Sequence, residues 1–250
     1  MPPYLPHTSE DLREMLDRIG RPDLDALFED IPEEVRLRRP LRLEAGLTEL
    51  QLWERLESLA SRNTATAFTT SFLGAGAYDA FIPAAVDALA SRQEFFTAYT
   101  PYQPEISQGT LQALFEYQTE MCTLTGLDVS NASVYDGASA VAEAVRMAMA
   151  QTRARGVLIA GGLHPGVLRA VRPVLEAVGA QLTVLPLTGL QTGPEAAAAA
   201  LNAAQPGSFA AVLVQSPNFL GAVEDVAGFA RASADHGALT IQCVMDALSF

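Results

Sequence analysis

The chain contains no lysine; all 16 of its basic residues are arginine. Its own side chains therefore cannot form a Schiff base with a carbonyl compound, nor supply the lysine of a phosphate-binding P-loop. Cysteine is nearly absent as well. Cys122 and Cys243 stand apart, with no Cys-x-x-Cys spacing and no adjacent histidine. They read as small apolar fillers in a reducing compartment, and no metal site is expected. Charge is sparse, at 18% of residues, with a net balance of −13. A nucleic-acid backbone or an anionic membrane selects Lys and Arg, so neither is expected as a partner. The opening residues 1–7 have neither the basic nor the apolar segment of a signal peptide. No apolar run approaches membrane-spanning length, and a cytoplasmic protein is expected.

What is present is a chain of 250 residues, 49% of them hydrophobic. That length suits one large domain or two small ones with a substantial core. The composition excludes disorder, collagen and coiled coil. Charge divides the chain. Residues 1–62 carry 9 Arg and 14 acids, whereas residues 63–250 carry 7 Arg and 15 acids over three times the length. The reading is a charged helical arm, 1–62, before a body, 63–250. A body so poor in charge has a large core, a large contact with another chain, or both.

In the arm, Thr8 or Ser9 caps a helix with Leu12, Met15, Leu16 and Ile19 on one face, stopped by Gly20 and Pro22. A short helix follows over 24–28, and Thr48 caps another that aligns Leu50, Trp53 and Leu56. In the body, residues 79–92 read as a helix with Pro83 in its first turn. Pro101 and Pro104 exclude helix from Phe95 to Pro104; Ser107 then caps a helix that Gly126 ends. From there, helices over 138–152, 165–178, 194–204 and 224–235 alternate with apolar strands over 156–160, 181–185, 210–214 and 238–244. This predicts an α/β fold whose mostly parallel sheet is covered on both faces. The sequence stops directly behind the last apolar strand, so a truncated chain is expected.

Several groups could carry chemistry. Gly74-Ala-Gly76 half-resembles a dinucleotide loop, but it lacks the third glycine and a preceding strand, and a turn opening a helix is the better reading. Gly137 and Ser139 begin a helix whose free N–H groups favour an anion, although an ordinary cap explains them as well. His164 follows the first parallel strand and Asp246 ends the last. Ligands of open α/β sheets gather at those strand ends, so the pair marks a cofactor pocket or its remnant. For either residue alone, a loop histidine or a capping aspartate remains an alternative. The densest constellation is Tyr99, Tyr102, Gln103, Glu105 and Ser107, on a loop stiffened by prolines. A buried structural loop is the competing account. His7 and His236 have no comparable context.

The segments Phe72-Leu-Gly-Ala-Gly76, Glu94 to Gln112 (with its Thr-Ala-Tyr-Thr-Pro-Tyr-Gln core), Phe115 to Thr119, Asn131 to Ala140 and Gln215 to Gly221 resemble the glycine decarboxylase P-protein family. More narrowly, they resemble subunit 1, the N-terminal half of its split bacterial form. The resemblance implies a partial large domain of the pyridoxal phosphate (PLP)-dependent transferases, fold type I, behind the helical arm. It implies that PLP is bound covalently by a lysine of the partner, P-protein subunit 2, so that no catalytic residue lies in this chain. The implied reaction is decarboxylation of glycine with transfer of the aminomethyl group to the lipoyl group of H-protein. Tyr99, Tyr102, Gln103, Glu105 and Ser107 would complete the partner's active site. Gly137, Ser139, His164 and Asp246 would be cofactor positions, here vestigial. Ala80 and Ala247 depart from the family pattern, where His and Pro are expected, and the family chain continues past Phe250. A non-catalytic scaffold and an inactive truncated remnant are the other readings.

Overall fold

The structure, a computed structural model, describes residues 6–64, 69–96 and 100–250, with Phe96 and Leu248 as backbone only. It divides into two units, Met1–Thr69 and Thr70–Phe250.

The first unit holds α1 (Ser9–Arg18) and α2 (Glu49–Ala60), with single 3-10 turns between them at Asp25–Phe28 and Glu33–Val35. Both helices start at capping boxes. The Thr8 hydroxyl accepts from the Asp11 amide while the Asp11 carboxylate accepts from the Thr8 amide, and Thr48 and Gln51 repeat the arrangement. Local sequence thus fixes both starts. No residue of either helix is buried, and Leu50, Trp53 and Leu56 form an exposed apolar stripe on α2.

The second unit opens with α3 (Ala84–Ala90), α4 (Gln93–Phe96) and α5 (Pro104–Thr125). Three expectations are corrected here. The helix predicted over 79–92 starts only at Ala84, because Pro83 is extended (ψ 142°) and a residue before proline is driven out of the helical region. Phe95 and Phe96 are helical, since Pro101 and Pro104 restrict only their own neighbours. Ser107 does not cap α5. Pro104 occupies the first turn, where its missing N–H costs nothing, and Ser107 kinks the helix with φ −129° and ψ 20°. Gly126 ends α5 with φ 70°, as the sequence predicts.

The expected alternation follows: α6 (Gly137–Thr152), β1 (Gly156–Ile159), α7 (Pro165–Ala177), β2 (Gln181–Val184), α8 (Pro194–Ala203), β3 (Phe209–Gln215), α9 (Val226–Ala234) and β4 (Leu239–Cys243). All four strands are parallel, in the order β2-β1-β3-β4. The central strands β1 and β3 are buried almost throughout, which explains their uninterrupted apolar sequence.

Two cores lie on opposite faces. On one, Val145 of α6 and Val171 and Leu175 of α7 pack against Val157, Ile159 and Leu213. On the other, Leu201 of α8 and Phe229 of α9 pack against Leu158, Val212 and Val214. Side chains of one strand alternate between the two clusters, as the period of a strand requires. Burial of Phe229, which has no exposed surface, contributes about 1.5–3 kcal/mol before entropy is counted. The result is a three-layer α/β/α body whose strand ends carry loops on one rim.

Candidate functional site

That rim is held by polar groups drawn from three loops. The loop behind β1 begins at Gly161, whose amide donates to Thr192 Oγ1 at 2.8 Å. Thr192 belongs to the loop behind β2, and its own amide donates to both oxygens of Glu224 at 3.1 Å. Glu224 lies behind β3 and also accepts from Asn218 Nδ2 at 2.7 Å. Asn218 Oδ1 in turn accepts from the Leu220 and Ala222 amides. Thr192, Asn218 and Glu224 are buried, and among the described residues no buried side-chain nitrogen or oxygen lacks a hydrogen-bond partner, so the loops are tied together.

His164 sits on this platform at the N-cap of α7. Its amide donates to Gln215 Oε1 at 2.8 Å, and its Nδ1 accepts from the Gly166 amide at 3.0 Å. An accepting Nδ1 places the proton of the neutral ring on Nε2. Phe219 meets the imidazole edge-on, with centroids 4.9 Å apart. The Gly74-Ala75-Gly76 turn lies against the same ring, with φ of 63°, 59° and 88° in succession. A Cβ on Gly76 would stand 3.5 Å from His164 Cδ2 and 3.6 Å from Met245 Cε. That turn does not open a helix, contrary to the sequence reading; the next helix starts at Ala84. Asp246 follows Met245 in the turn behind β4. Thus His164, the glycine turn and the residues beside Asp246 are brought to one place on the strand-end rim.

Gly137 and Ser139 lie at the start of α6, where Gly137 lines one groove with Leu163, Gln215 and Met245. There Asp136 Oδ1 accepts from the Ser139 amide at 2.7 Å, and this bond to the backbone holds the Asp136 carboxyl below its ordinary range. The helix N-terminus thus carries a carboxylate where a phosphate would need free N–H groups. With no lysine available either, the residues of this chain do not fit a resident PLP.

Of the proposed loop, Tyr99 lies outside the described residues. Tyr102 is 72% exposed, its amide donating to the Thr100 carbonyl at 2.9 Å. Gln103 precedes α5 in extended conformation, and its carbonyl accepts from the amides of Ile106 and Ser107. Glu105 is exposed and Ser107 half-buried at the kink. The competing account of a buried loop does not describe Tyr102.

Thr192, Asn218 and Glu224 were not singled out by sequence reasoning. The only signal was the polar Gln215-Ser-Pro-Asn segment directly behind an apolar strand. Among the described residues there is no cluster of His, Cys, Asp and Glu able to hold a metal ion, and no helix long and apolar enough to cross a membrane.

Comparison with known proteins agrees with this architecture. The family model described as "Glycine cleavage system P-protein" matches residues 2–250. A relative from Desulforamulus reducens, named probable glycine dehydrogenase (decarboxylating) subunit 1, is 48% identical over 96% of this chain and 53% of its own. A protein of the same name from Geobacillus kaustophilus is 47% identical over 91% of this chain and 50% of its own. The chain thus spans about half the length of the curated relatives it matches. The crystal structure of glycine decarboxylase (P-protein) in inhibitor-bound form superposes with a TM-score of 0.78, at 46% identity, over 98% of this chain and 53% of that one. Oryza sativa TDC with PLP shares the fold alone, with a TM-score of 0.53 at 14% identity over 96% of this chain and 58% of that one. The α/β body is therefore part of a fold-type-I PLP-transferase large domain, and the chain belongs to the glycine cleavage system P-protein family.

Proposed function

We propose that this chain is one subunit of a glycine decarboxylase, working in the cytoplasm beside a lysine-bearing P-protein subunit 2 that holds PLP covalently. Together they decarboxylate glycine and pass its aminomethyl group to the lipoyl group of H-protein. The observation that carries this reading is the absence of lysine from a chain 48% identical to a protein named as one subunit of that enzyme. A chain that cannot form a Schiff base takes part in amine chemistry of this kind only beside one that can.

In this reading the segment from Tyr99 to Ser107, with Tyr102, Gln103 and Glu105, closes over the partner's site. The exposure of Tyr102 on a proline-flanked turn supports it, because such a turn presents a hydroxyl with little ordering cost. Gly137, Ser139, His164 and Asp246 are then remnants of cofactor positions, put to structural use.

A scaffolding role has its own support in α5. This helix of 22 residues buries none of them, and Tyr117 and Leu124, seven residues apart and so on one side, are both exposed. Such a face suits a second chain.

The test is to mix the chain with purified subunit 2 and record the PLP absorbance with and without glycine. A glycine-dependent change in the mixture alone is expected, with Tyr102→Phe lowering turnover more than tenfold while the complex stays intact. Unchanged turnover in Tyr99→Phe and Tyr102→Phe would leave only the scaffold reading, and an inert mixture would defeat both.

A further inference from the structure

Three arginines meet at the end of the sheet opposite the rim that carries His164. Arg146 lies on α6, Arg153 directly behind that helix, and Arg155 directly before β1. Together with Met149, Ala150 and Val178 they line one cavity of about 280 Å³. No acid lines it, although the chain holds 29 acids against 16 arginines. Like charges gathered in this way repel one another, and an anion among them removes that cost.

Ordinary structural roles account for part of the cluster. Arg155 Nη1 donates to the Val178 carbonyl at 2.8 Å, which satisfies the C-terminal end of α7. Arg146 pairs with Glu143 at 2.8 Å, but both side chains are more than half exposed, and such pairs hold weakly. Arg153 has no ion pair among the described residues and stands where a glycine is ordinarily found. It ends α6 with φ 63° and ψ 8°, the left-handed conformation that Gly126 supplies at the end of α5. An arginine there costs backbone energy that a glycine would not. Strain kept at a residue lining a cavity is accounted for when its side chain binds something there.

The walls are held in place. Met149 is buried, and its carbonyl accepts from the Arg153 amide at 3.0 Å. The Arg155 carbonyl accepts from the Gln181 amide at 2.8 Å, which locks its backbone to the start of β2. The backbone under all three guanidinium groups is thus ordered before any ligand arrives. Guanidinium groups take carboxylate and phosphoryl oxygens alike. A planar carboxylate offers only two oxygens, whereas a phosphoryl group offers three, directed to different sides, one for each arginine here. We propose that Arg146, Arg153 and Arg155 form a binding site for a small phosphoryl anion of the diphosphate or phosphate-ester class. Such a site goes beyond the decarboxylase reading and does not depend on it.

The test titrates the full chain with inorganic pyrophosphate by calorimetry, at about 0.15 M ionic strength, where diffuse surface attraction is screened. Saturable one-to-one binding is expected, with a rise in melting temperature as pyrophosphate is added. Arg153→Gly relieves the left-handed strain, so the free variant should melt no lower than the parent, yet bind at least tenfold more weakly. Arg146→Gln should weaken binding to a similar degree. Arg231→Gln, the same loss of charge from an exposed position on α9, should leave affinity within twofold. Hexaglutamate at equal charge should not displace pyrophosphate. Absence of saturable binding, undiminished binding by Arg153→Gly, or equal losses in all three variants would each overturn the proposal. Displacement by hexaglutamate would overturn it too, in favour of a site for an acidic peptide segment.

Discussion

Asn218 Nδ2 donates to Glu224 Oε1 at 2.7 Å, and both side chains are buried behind β3. The pair matters because Glu224 also accepts from the Thr192 amide, so one carboxylate serves two loops. Glu224→Leu would leave the Thr192 N–H buried without an acceptor and the Asn218 amide with the Leu190 carbonyl alone. A loss of about 2–5 kcal/mol in urea unfolding is expected, with Glu224→Gln in between because it retains one acceptor oxygen. A loss under ~0.5 kcal/mol for Glu224→Leu would show that water or rearrangement replaces the pair.

The same platform explains why position 162 is glycine. A Cβ there would stand 2.6 Å from Asn218 Cβ, and the Gly162 carbonyl accepts from the Phe219 amide at 2.8 Å. Gly162→Ala should therefore cost about 1–3 kcal/mol. It should also speed exchange of the Phe219 amide beyond the global change, because the loop carrying Phe219 must move away. An unchanged Phe219 amide would contradict the account.

These two residues show where the sequence was legible. The βαβ alternation was readable because β1 and β3 are buried on both faces and their apolar runs are unbroken. Thr8, Thr48 and Gly126 were readable because caps are local chemistry. Pro83 and Ser107 misled, since each permits several placements relative to a helix start and neighbouring side chains decide among them. The platform was not readable at all. Thr192, Asn218 and Glu224 are typical loop residues until folding places them together, and Gly76 meets His164 across 88 positions of sequence. The candidate rim, with His164 and Asp246, was found by topology alone, because strand ends follow from strand assignment.

Asp136 makes a pH prediction. Its carboxyl is held below the ordinary range by the Ser139 amide, so the stabilisation is present above the unfolded-state pKa and is lost as pH falls through the folded-state value. Asp136→Ala should lower the urea midpoint at neutral pH, and the difference from the parent chain should close in acid. Asp136→Asn should stay near the parent at neutral pH, since asparagine caps about as well as aspartate. A midpoint difference for Asp136→Ala that persists unchanged below the folded-state pKa would assign the effect to something other than the carboxylate cap.

Cys243 gives the opposite sign. Burial pushes its thiol from the ordinary 9.0 up to about 11, because the thiolate would lose its hydration against Ile241 and the α6 face. A folded-state value above the unfolded one contributes stability that is complete below the unfolded pKa and disappears as pH rises through the folded pKa. The chain should thus lose on the order of 2 kcal/mol between about pH 9 and 11 that Cys243→Ala does not lose. Reactivity follows the same logic, since the thiolate is the nucleophile. In a Cys122→Ser background, iodoacetamide at pH 8 should modify the folded chain far more slowly than the urea-unfolded one. Equal rates would mean that Cys243 is reached by water in the folded state, and would remove the physical basis for its raised pKa.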